Sequence, residues 1–187
     1  WGTATNVQAM VFGNLGDEAI LESIISELEK TVSRKNIVVL SNDPQRHRKT
    51  YAVAAIDRWK LASLVELLPK AKLFISGGGG LFQDTNSPGS TIYYGGQIAL
   101  ARAFGAHPFI FAQGLGPLNS LAGKVATRLA AKLSQDVTVR DKASLAMLEH
   151  WKVKAELTAD PVWTLEETEL PESVINQIDT VRSAKGL

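Results

Sequence analysis

The chain has 187 residues, 45% of them hydrophobic, enough for one substantial core and too few for two full domains. Its 20 basic and 19 acidic residues balance to +1 and are scattered along the chain, which argues against a surface for nucleic acid. Cysteine is absent, removing disulfides, thiolate zinc sites and cysteine nucleophiles, and no apolar run reaches the roughly 18–20 residues of a membrane span.

This composition suits a reducing, cytoplasmic setting, with the chain at most peripheral to the inner face of a membrane. The start at Trp1 rather than Met leads us to expect a fragment or a processed chain.

In chain order, "TATNVQAMVF" makes a poor strand, so the first strand is expected to be short, degenerate or cut away. Ile20, Leu21, Ile24, Ile25 and Leu28 recur at helical spacing behind Asp17 and Glu18, and predict a helix over 17–30 whose first turn carries negative charge. "NIVVLS" (36–41) reads as a strand buried on both faces, ended by "SNDP". A helix over 60–68 stops at Pro69, and the strand "KLFIS" (72–76) runs straight into four glycines. A helix over 92–104 ends at Gly105, and the strand "PFIFAQ" (108–113) leads to "GLGPL". A helix over 121–134, a strand over 137–140, a helix ending near 151 and a short strand in "AELT" complete the series.

Alternating strands and helices predict an α/β fold, a Rossmann-like parallel sheet with helices on both faces, over residues 1–165. From 166 to 187 the chain turns polar and acidic, which we read as a linker with a helix over 172–184.

In such sheets ligands bind outside the carboxyl ends of the strands. Four loops qualify. In "FGNLGDEA", Asn14 and Asp17 stand at the mouth, although Asp17 could equally serve only the helix start. In "GGGGLFQD", four glycines cost backbone entropy at each position, so close approach of a ligand to Gly77, Gly78, Gly79 and Gly80 is the favoured explanation, with a tight crossing against a helix as the alternative. Asp84 beyond them is a candidate acid or base, or else a turn aspartate. In "QGLGPL", Gln113 and Gly114 repeat the theme. In "VRD", Arg140 ends a buried strand, where facing an anion is favoured over an ion pair with Asp141 or a neighbouring loop.

The turn G-x-x-G-D differs from a dinucleotide fingerprint, and no phosphate-binding G-x-x-x-x-G-K-[ST] occurs, so nicotinamide and P-loop nucleotide chemistry are disfavoured. The spacing of His47, His107 and His150 suits no metal. Tyr93, Tyr94, Trp59, Trp151 and Trp163 could stack on a sugar, though packing is the commoner fate of such residues.

Three stretches carry a resemblance: "VFGNLGDEAILESII", "FISGGGGLFQDTNSPGSTIYYGGQIALARAFGAHPFIFAQGLGPL" and "VTVRDKASLAMLEHWKVKAELTADPVWTL". Together, over about 11–165, the chain resembles the N-terminal half of polysaccharide pyruvyl transferases, in particular the bacterial branch acting on N-acetylmannosamine of cell-wall polymers. The resemblance implies two Rossmann-like domains in a glycosyltransferase-B-like arrangement. Phosphoenolpyruvate would be co-substrate, with no further cofactor, and a lipid- or nucleotide-linked sugar would be the acceptor. It also implies Asp84 near the reacting groups, Arg140 facing the phosphoenolpyruvate anion, and Asn14, Gly77 to Gly80 and Gln113 in the ligand loops. The family's arginine-histidine motif has no counterpart after Leu165, so the expected second domain is absent and the isolated chain is expected to be inactive. A nucleotide-sugar glycosyltransferase and a non-catalytic binding module stand as the alternatives.

Overall fold

The computed structural model of the chain describes residues 6–10, 15–85 and 88–165. Seven strands form one wholly parallel sheet in the order β3-β2-β1-β4-β5-β6-β7. They are β1 (Asn6–Met10), β2 (Ile37–Ser41), β3 (Ala54–Asp57), β4 (Ala71–Gly77), β5 (His107–Gln113), β6 (Asp136–Val139) and β7 (Glu156–Leu157). The helices are α1 (Leu15–Glu29), α2 (Pro44–Tyr51), α3 (Leu61–Leu67), α4 (Gly89–Ala103), α5 (Leu121–Leu133) and α6 (Lys142–His150). The expected α/β parallel sheet flanked by helices is therefore the observed fold. The expected helix over 172–184 and the linker lie outside the described residues.

The weakest expected strand turns out to be central. β1 pairs with β2 through Val7↔Ile37 and Ala9↔Val39, and with β4 through Val7↔Leu73 and Ala9↔Ile75. A strand with a neighbour on each side satisfies its backbone groups without needing a long apolar run of its own, which is why "NVQAM" signals it poorly.

Two elements lacked a sequence signal. In α2, "PQRHRKTY" buries only His47, so no apolar period marks it. Asp43 starts that helix by accepting from the Arg46 amide at 3.1 Å, with Pro44 in the first turn. β3 has four residues and pairs only with β2, at the sheet edge.

Alternate residues of the strands feed two cores. On one face Ile37, Val39 and Ile75 pack with Ile20, Leu21, Ile24 and Ile25 of α1. On the other, Leu40, Phe74 and Ile110 pack with Leu64 of α3, Ile98 of α4 and Ala130 of α5. β1 lies in mid-sheet and the later strands are added outward on both sides of it, so β1 and β4 form the switch point where the crossovers diverge. The crevice at their carboxyl ends is where such sheets take ligands.

Candidate functional site

β4 does not stop at its last residue. The glycine loop runs on beside the chain leaving β5: the Gly78 amide donates to Phe111 O (2.9 Å), Gly114 to Gly79 O (3.0 Å), Gly116 to Phe82 O (2.7 Å) and Asp84 to Pro117 O (3.1 Å). Two of the four expected ligand loops thus form one paired ribbon beyond the sheet.

The glycines have different reasons to be bare. Gly77 and Gly78 lie beneath α1: a Cβ on Gly77 would stand 2.8 Å from Ile24 Cδ1, and one on Gly78 would overlap Ile20. Gly78 also has φ +66°, a left-handed backbone that side chains disfavour. For these two the helix crossing accounts for the sequence. Gly79, with φ +72°, faces the Asp17 carboxylate, and a Cβ there would lie 3.0 Å from Oδ1. Gly80 meets only the Gln83 side chain, at 3.6 Å or more.

Gln113 is fully buried, and its Nε2 donates to Gly79 O (2.7 Å) and Gly114 O (3.2 Å). Its amide thereby locks the glycine ribbon to the end of β5. Arg140 follows β6 and lies against Gly114, where a Cβ would be 3.3 Å from Arg140 Nε. The guanidinium pairs through Nη1 with Asp160 Oδ2 at 2.5 Å. Asp141 instead caps α6, accepting from the Ser144 amide and hydroxyl, each at 2.7 Å. Of the partners considered from sequence, the neighbouring loop holds the arginine.

Asp17, in the first turn of α1, completes this group. Burial raises its pKa above the ordinary carboxylate value, against the opposing pull of Arg140 and with a further push from Glu18. Asp17, Gly79, Gln113, Gly114 and Arg140 therefore converge at the carboxyl ends of β4, β5 and β6. Asn14 lies outside the described residues.

Asp84 occupies a different environment from the one expected of a proton donor. Its side chain accepts from the Asn119 amide (2.6 Å), the Ser120 amide (2.8 Å) and the Ser120 hydroxyl (2.5 Å). The Ser120 hydroxyl bond is the foremost reason its pKa falls below the usual carboxylate value. Ser120 in turn caps α5 by accepting from the Gly123 amide at 2.9 Å. Asp84 is thus an ionised anchor joining the glycine ribbon to the start of α5.

A folded-state pKa lowered below the unfolded value of about 3.9 contributes stability that is complete above it and is lost as pH falls through the folded value. Asp84→Asn should lower the melting temperature at neutral pH, with the deficit closing in strong acid. A deficit independent of pH in thermal melts would contradict the anchor.

Two contributors, Asp160 and Arg58, escaped the sequence reading. Asp160 lies in "TADPVW", the loop that leaves β7, and the strand-end rule applied to that last strand would have found it. Arg58 follows β3, the strand that gave no signal, and stands beside Trp59, one of the aromatics named from sequence as able to stack on a sugar. Arg58 donates to Tyr94 Oη at 2.8 Å, and its guanidinium carbon stands 4.6 Å from the Trp59 ring centre. The Tyr93 hydroxyl donates to Arg58 O at 2.7 Å, its ring centre lies 5.0 Å from that of Trp59, and burial pushes the Tyr94 hydroxyl up to about 12. Trp59 nevertheless remains 65% exposed, on the same carboxyl edge of the sheet. Trp151, by contrast, packs against the core.

A search of curated proteins returns no match. The family model for polysaccharide pyruvyl transferase matches residues 14–184, which takes in every convergent residue described above. Because that match spans nearly the whole sequence, the chain belongs to the polysaccharide pyruvyl transferase family.

Proposed function

We propose that this chain contributes one wall of a site that transfers pyruvate from phosphoenolpyruvate to a sugar of a cell-surface polysaccharide, forming a ketal and releasing phosphate. The observation carrying the reading is the convergence of Arg140, Asp17 and the Gly79–Gly114 ribbon at the carboxyl ends of β4 to β6. The opposite wall belongs to a second domain of the two-domain arrangement.

The reaction needs C3 of the enol protonated so that C2 becomes electrophilic. One sugar hydroxyl then adds at C2, phosphate leaves, and a second hydroxyl closes the ketal ring. A guanidinium suits the carboxylate or phosphate of the donor, and its bond to Asp160 holds it in place beforehand. A carboxyl group whose pKa is raised by burial suits proton exchange with the reacting atoms, so Asp17 takes that role. Asp84, acceptor to three donors, positions the Asn119–Ser120 segment instead of supplying a proton.

The acceptor sugar lies on Trp59, whose large exposed ring is braced by Arg58 and Tyr93 and can meet the C–H face of a pyranose.

Incubating the complete two-domain enzyme with phosphoenolpyruvate and N-acetylmannosamine-containing lipid- or nucleotide-linked acceptors should release phosphate and add a pyruvyl ketal by mass. Neither product across these acceptors, together with binding of a nucleotide sugar that phosphoenolpyruvate does not displace, would favour a glycosyltransferase. In the active enzyme, Trp59→Ala should raise the acceptor KM about tenfold, leaving the phosphoenolpyruvate KM unchanged and Trp59→Tyr close to wild type. An unchanged acceptor KM in steady-state kinetics would remove Trp59 from the site.

A further inference from the structure

The overall charge of +1 conceals a strong asymmetry. From Thr85 to Gln135 there is no aspartate or glutamate, while Arg102, Lys124, Arg128 and Lys132 supply four cations. The two helices of that segment, α4 and α5, pack side by side on one face of the sheet.

The outward side of this pair is also unusually apolar. Along α5, Leu121 is 78% exposed, Val125 48% and Leu129 54%, and on α4 Ile92 is 54% exposed. Between the helices Ile92, Gly95, Gly96, Ala126, Leu129 and Leu133 line a shallow groove of about 230 Å³.

The α5 pattern explains how both properties share one surface. Leu121, Val125, Leu129 and Leu133 recur every four residues, and so do Lys124, Arg128 and Lys132, one position before each of the last three. At about 100° per residue the two rows occupy one arc of roughly 180°, opposite the buried Gly123, Thr127, Ala130 and Ala131. The apolar row lies toward the α4 groove and the basic row along its other flank. Leu121 stands one residue past the Ser120 cap, so the surface begins next to the ribbon anchored by Asp84.

A water-facing helix would present this arc as mixed charge, and an interior helix would bury its leucines. Exposed leucines interleaved with cations, on a surface to which the local sequence contributes no carboxylate, match an interface with anionic headgroups above and acyl chains below. We infer that the α4–α5 face docks the protein on an anionic membrane surface. The occupant is a lipid bilayer, argued from charge complementarity, and the inference is independent of the donor chemistry proposed above. No helix among the described residues is long and apolar enough to cross a membrane, so the attachment is peripheral. Seated this way, the rim of the strand-end crevice at Leu121 stands at the headgroup level.

Co-sedimentation of the full chain with phosphatidylcholine vesicles, with and without phosphatidylglycerol, tests the surface. Binding is expected to require phosphatidylglycerol and to weaken with salt. Arg128→Glu/Lys132→Glu should lower partitioning by about 30-fold or more, since each basic residue near a charged bilayer contributes about a factor of five. Leu121→Ser/Leu129→Ser should lower it by about tenfold with the cations intact. All four side chains point outward, so circular dichroism and melting temperature should match wild type. Lys124 is spared because its charge reaches Asp84. The inference is overturned if the wild type binds neither vesicle or both equally, or if the charge reversals leave partitioning unchanged. It also fails if Leu121→Ser/Leu129→Ser converts a dimer to a monomer in a chain that ignores vesicles, since the face would then belong to a second copy.

Discussion

Arg140→Ala should lower kcat/KM for phosphoenolpyruvate by two to three orders of magnitude in the complete enzyme, because losing a charge-assisted contact to the anion costs about 3–4 kcal/mol. The fold should survive, since Asp160 keeps a bond from the Val162 amide and can be solvated at the rim. A second effect follows from Asp17. Arg140 pulls that carboxyl's pKa down against burial, so removing the guanidinium lets it rise further. If Asp17 donates a proton, activity falls as pH rises through its pKa, and this limb of the rate profile should move to higher pH in Arg140→Ala. Arg140→Lys keeps a positive charge but loses the planar fork, so it should retain the wild-type limb while still weakening donor affinity. Wild-type kcat/KM in Arg140→Ala would mean that the anion is held elsewhere.

Gly78→Ala should destabilise the domain by about 3 kcal/mol, combining a left-handed backbone with an overlap in a packed layer. For a chain of this size that lowers the melting temperature by roughly 6–12 °C. The added methyl meets Ile20, so Ile20→Ala in the same chain should return the overlap part while leaving the backbone part. Gly80→Ala meets no such neighbour and should leave the melting temperature nearly unchanged. Any loss it causes belongs to ligand approach. Equal melting temperatures for wild type and Gly78→Ala would show that α1 yields readily, and would return Gly78 to the ligand.

The legible parts of the fold were those whose residues signal locally. Ile20, Leu21, Ile24 and Ile25 mark α1 by period, and "IVVL" marks β2 by continuous burial on both faces. α2 buries little beyond His47, and β3 has one partner, so neither leaves a pattern that a reader of sequence can use. β1 is the sharper lesson: its place at the sheet centre rests on backbone pairing to both neighbours, which residue types barely record.

The same division runs through the site. Sequence by itself determined that the chain is an α/β protein with glycine-rich loops at its strand ends, because alternating periods and glycine-rich strand exits are written in residue order. It also singled out Asp17, Gln113, Gly114 and Arg140, which the fold brings together. Only the tertiary structure decided what each one touches. It set Gly77 and Gly78 against α1, tied Asp84 to the start of α5, paired Arg140 with Asp160 and laid the two helices of an acid-free stretch side by side. Those outcomes depend on contacts between residues distant along the chain, and pKa, conformational strain and surface charge arise from such contacts.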